Sequence, residues 1–124
     1  MSRYSINSNQ SYTSPKRCPV SLQKYIIIDE LERNKKLILF QFINNFKYKV
    51  KSISFELVQY DSHNQEIDRQ ILAYDNFEIK EKRIFVPYAK SFVMLSCDHV
   101  EVNLMSADFD FWKWENNKWY QKLN

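Results

Sequence analysis

An antiparallel, all-β sandwich of seven to eight short strands is the fold this sequence predicts, on three observations. Apolar residues make up 44% and aromatics 16% of its 124 residues, and Ile, Val, Leu, Phe and Tyr are side chains that fit a pleated, half-buried surface. They fall into short runs separated by polar turns, several with period-2 alternation. The chain also contains no glycine, where average usage of about 7% gives roughly nine, so asparagine stands in at the bends.

Residues 1–17, rich in Ser, Asn, Tyr and Thr with Pro15, show no periodicity and read as a disordered, flexible leader. The domain proper is 18–124, entered at Pro19. Its first strand is 20–28, followed by a charged, compact turn over 29–35. Residues 36–44 set Ile38, Phe40 and Phe42 on one face and Leu37, Leu39 and Ile43 on the other, the pattern of a central strand. A short connection at 46–49 leads to 50–61, where Ile53, Phe55 and Leu57 alternate with Ser54 and Glu56. In the turn at 61–66, Asn64 suits the left-handed position. Extended pieces follow at 66–74, 78–87, 91–97 and 100–105. At the C-terminal end, Asn116-Asn117 suits a two-residue type I′ turn, which sets Glu115 opposite Lys118 and the indole of Trp114 against that of Trp119.

The stretch from Leu37 to Ile67, LILFQFINNFKYKVKSISFELVQYDSHNQEI, resembles the first hairpin of an uncharacterised immunoglobulin-like or fibronectin-III-like domain of low-GC Gram-positive bacteria. Asn44 at a strand end, Lys51-Ser52-Ile53 at a strand start and Tyr60-Asp61 at its close sit in matching places. Residues 83–88 resemble that group's "I-x-L-P" segment, Ser91-Phe92-Val93 its strand entry, and 109–119 its closing pair ending in tryptophan. The resemblance spans about residues 18–120, lacks the group's turn glycines and its attached zinc ribbon, and implies an immunoglobulin-like fold without supplying catalytic residues.

Absence of glycine excludes a P-loop, a dinucleotide-binding GxGxxG turn and a hydrolase nucleophile elbow, because only a residue without Cβ lets backbone approach a ligand so closely. The longest apolar run, Tyr25-Ile26-Ile27-Ile28, is far short of a span, and MSRYSINSNQ lacks the core of a secretory signal; a cytoplasmic address is expected. The net charge of +3 resides in Arg3, Lys16 and Arg17, leaving the domain neutral, which is poor support for a general nucleic-acid binder.

Cys97 and His99 would share a strand face and form a thiolate–imidazole pair, but the run reads instead as a packed cysteine before a polar turn. Cys18 reads as a second reduced thiol. Zinc would have to draw on Cys18, His63, Cys97 and His99, of which only Cys97 and His99 have ligand-type spacing. Asp98, Glu101, Asp108 and Asp110 read as a solvated acidic surface. No catalytic residue, metal or cofactor is therefore expected.

Two interaction surfaces remain. Trp112, Trp114, Trp119 and Tyr120 crowd a hairpin that caps the core with one face and offers the other to a partner. Lys47, Tyr48, Lys49 and Lys51 form a basic edge with interleaved aromatics, near Arg33, Lys35 and Lys36. Lysines of this kind discourage edge-to-edge pairing, and with aromatics they also suit single-stranded nucleic acid. The expected function is a non-enzymatic protein-interaction or accessory module. The alternative is a nucleic-acid-binding regulator using the basic edge and leader.

Overall fold

A computed structural model describes residues 4–8, 18–32, 34–87 and 89–122, by backbone alone at 4–8 and 30–32. Among the described residues there are ten strands and no helix: β1 (Tyr4–Ser8), β2 (Val20–Glu32), β3 (Lys35–Asn44), β4 (Val50–Tyr60), β5 (Glu66–Tyr74), β6 (Ile84–Phe85), β7 (Ser91–Met94), β8 (His99–Phe109), β9 (Trp112–Glu115) and β10 (Lys118–Gln121). One antiparallel sheet runs β1-β2-β3-β6, with β7 also on β3; the other runs β10-β9-β8-β4-β5. The two pack face to face as a β-sandwich. No described helix is long and apolar enough to cross a membrane.

Alternation carries the architecture. Ile38, Phe40 and Phe42 point into the core from β3, meeting Ile53, Phe55 and Leu57 from β4, all at most 2% exposed. Phe55 lies edge-on to Phe40, ring centroids 5.0 Å apart, and 5.3 Å from Phe42. The Val100 backbone N–H donates to the Tyr25 hydroxyl at 3.0 Å, tying one sheet to the other.

The strands are more numerous and longer than the sequence predicts, four of them with ten residues or more. The charged run 29–35 belongs largely to the strands: past an irregularity after Ile28, β2 and β3 pair again at Glu32 and Lys35, beside Asn34 at φ 61°. β8 runs on to Phe109 past a bulge opposite Ser54 and Phe55. Conversely, 78–87 is mostly irregular. Only Ile84–Phe85 is a strand, since Lys82 turns at φ 66°.

Within the expected leader, Tyr4–Ser8 pairs antiparallel with β2, Ile6 opposite Ile26. The open edge of β2 offers a row of backbone groups that any extended segment can satisfy. The rest of that expectation, residues 1–3 and 9–17 with Arg3, Lys16 and Arg17, lies outside the described residues.

Candidate partner-binding site

Asn44 directs the chain from β3 across to the other sheet. Fully buried, its Nδ2 donates to the carbonyls of Tyr48 and Ile79 at 2.9 and 2.8 Å, and its Oδ1 accepts from the Phe46 N–H at 2.9 Å. These bonds hold the connection so that Phe46 and Tyr48 point to the same end of the sandwich as β9 and β10.

That hairpin forms in the predicted register, with Lys118 opposite Glu115 and Trp119 opposite Trp114. Asn116 and Asn117 take φ 49° and 67°, and the Asn116 N–H donates to the Met105 carbonyl at 2.9 Å. The expected indole pair is replaced by another. Trp114 turns into the core at 2% exposure, while Trp119 lies 4.4 Å from Phe46 and meets Trp112 edge-on at 6.2 Å. The tryptophans thus belong to the inward face, and of the four predicted contact residues Tyr120 is the one that is exposed.

The two surfaces that the sequence keeps apart are one. Phe46 packs edge-on against Phe109 at 4.7 Å, and Tyr48 against Phe111 at 5.4 Å. The Lys47 ammonium stands 5.2 Å from the Tyr48 ring centre, a cation–π geometry. Phe111 itself escaped the sequence reading. It occupies the two-residue link between β8 and β9 at φ 70° and is 55% exposed. A tight hairpin in a chain without glycine was the available signal, because some residue with a Cβ must then take positive φ.

The basic edge is electrostatically mixed. Lys51 pairs with Asp110 at 2.8 Å; that hydrogen bond raises the lysine and holds the carboxyl below its ordinary range. Lys49 lies 3.9 Å from Glu78, and Lys122 pairs with Asp108 at 2.8 Å. Antiparallel register explains this. Val50 faces Phe109 and Ser52 faces Asp108, so two members of the expected acidic surface, Asp108 and Asp110, interleave with the lysines, and Asp108 and Lys51 line an open cleft of ≈ 530 Å³.

The Cys97–His99 run is not a reactive pair. Cys97 precedes β8 and is 1% exposed; its Sγ donates to the His99 carbonyl at 3.5 Å, and burial pushes the thiol up to about 11. His99 faces outward, stacked on Tyr60 at 5.2 Å. Its Nδ1 lies 3.0 Å from Asp98 and its Nε2 3.0 Å from Asn64. Among the described residues no group of three or more His, Cys, Asp or Glu assembles to hold a metal. Compared with family models, curated proteins and solved structures, the chain finds no match.

Proposed function

We propose that this chain is a non-enzymatic protein-interaction module on an immunoglobulin-like sandwich, and that a protein partner is held at its aromatic end by Phe111, Tyr48 and Lys47. Phe111 carries the reading. A bulky side chain at positive φ costs about 1–3 kcal/mol, and more than half of this ring recovers nothing by burial. Strained, exposed aromatics recur at recognition surfaces, and this one packs edge-on against Tyr48, which in turn packs edge-on against Phe46.

Strand order supports the immunoglobulin-like assignment: β2, β3, β6 and β7 face β5, β4, β8 and β9, with the chain changing sheets three times. The resemblance to Gram-positive domains implies a fold alone. Cys18 and Cys97, buried and unbridged, fit the reducing cytoplasm. A thiol that stays protonated at neutral pH is a poor nucleophile, which favours a non-enzymatic role. The nucleic-acid alternative has less support, since Lys49 and Lys51 already face carboxylates.

Affinity capture from nuclease-treated lysate of the source cells tests the proposal. One protein should be retained in constant ratio by the full chain and lost with Phe111→Gly. Salt-sensitive retention of a single-stranded oligonucleotide, abolished by Lys47→Ala with Lys49→Ala and Lys51→Ala, would replace this reading with the alternative.

A further inference from the structure

The two outer faces of the sandwich differ in kind. Outside the β4-β5-β8 sheet, side chains satisfy one another as a solvated face should: Ser54 bonds Ser106, Asn103 donates to Glu56, and Arg69 pairs with both Glu56 and Glu66. Outside the β2-β3-β7 sheet, the register sets Ile26 beside Leu39, and Ile28 beside Leu37, which in turn faces Phe92. All five are only half-buried. Ile43 lies beside Ile84, which is 53% exposed, and the strip ends at Met94, 43% exposed. An antiparallel sheet with one face on the core and one in water normally alternates apolar with polar; β3 is apolar on both sides.

We infer that this outer face is a self-association surface, on which a second copy of the chain packs sheet against sheet. Three or four strands about 4.8 Å apart, over ten residues at about 3.3 Å each, give a plan area of roughly 500–600 Å². Side-chain relief raises that toward the ~800 Å² per partner of a standard stable interface. Lys24 and Lys35 flank the Ile26–Leu39 and Ile28–Leu37 rows instead of interrupting them, and the exposed Lys90 stands at the rim, just ahead of β7. Polar groups on the face are self-complementary. Gln41 donates its Nε2 to Gln23 Oε1 at 3.1 Å, which leaves a Gln23 donor and a Gln41 acceptor to meet their two-fold mates. Twisted sheets stack about 10 Å apart with strands crossing near 30°, so two copies of one apolar face fit by the geometry that joins the sheets within each chain.

Sedimentation of the full chain over a wide concentration range tests this inference independently of the aromatic end. The mass should rise from 15.1 kDa toward twice that value. Leu39→Lys and, separately, Ile84→Lys should each weaken association at least about tenfold, with β-sheet circular dichroism unchanged. Ile71→Lys, an exposed change on β5 in the other sheet, should leave it intact. Three results would overturn the inference: a chain that stays monomeric at high concentration, a dimer that Ile84→Lys leaves intact, or a monomer that binds anionic lipid vesicles through the same residues.

Discussion

At the residue scale, Asn44 bears a full polar load inside the core. Its three bonds use both amide hydrogens and the carbonyl oxygen in a site without water access, and each buried group left unsatisfied costs about 1–3 kcal/mol. Asn44→Ala should therefore lower unfolding free energy by about 3 kcal/mol or more in urea denaturation. At Phe111, strain and exposure separate stability from recognition. Phe111→Ala keeps a Cβ at positive φ, whereas Phe111→Gly removes it, so the glycine variant should be the more stable of the two by about 1 kcal/mol. Equal midpoints would show that the link carries no strain. The sequence marks Asn44 as a strand end through its resemblance, but not what it does there, because its partners come from Tyr48 and from distant Ile79. Gln59 is a similar case: at 1% exposure it accepts from the Met94 N–H and donates to Asp68. Local pattern assigns it no role, because Met94 lies far along the chain.

At the element scale, legibility follows contact distance along the chain. The β9–β10 register was readable because the Asn-Asn turn fixes it locally. Asn117→Gly should change stability by less than about 0.5 kcal/mol, since relief of positive φ is offset by a freer unfolded chain. Asn117→Val should cost about 1 kcal/mol or more, as β-branching disfavours positive φ; thermal midpoints of the two variants give the comparison. The mixture of acids and lysines was not readable. It depends on how β4 lies against β8, some fifty residues on in the chain, and no local signal encodes that. The same blindness left out Phe46: Trp119 stands opposite Trp114 as the turn dictates, but its ring packs 4.4 Å from that of Phe46, which no local pattern indicates.

For the whole molecule, paired and buried titratable groups make stability depend on pH. Hydrogen bonds from the Gln65 and His63 backbones hold Asp61 below its ordinary range, and Lys51 does the same for Asp110. Their contribution is complete above the unfolded aspartate value of about 3.9 and disappears as pH falls through the lower folded values. Cys97, raised by burial from 9.0 to about 11, contributes below its unfolded value and loses that contribution as pH rises through its folded one. Melting temperature should thus fall on both flanks, and Cys97→Ala should flatten the alkaline flank between about pH 9 and 11. An unchanged alkaline slope would remove the thiol as its cause. The left-handed turns have a quieter effect. Seven described residues, five of them asparagine, take positive φ without a glycine among them. A chain so composed is stiff before it folds. Asparagine tolerates the left-handed region, so each of these five in place of glycine spares up to about 0.4–1 kcal/mol of disorder that folding must remove, a gain that strain cancels at Lys82 and Phe111; part of what keeps these sheets together is thus settled in the denatured ensemble, where no contact can be seen.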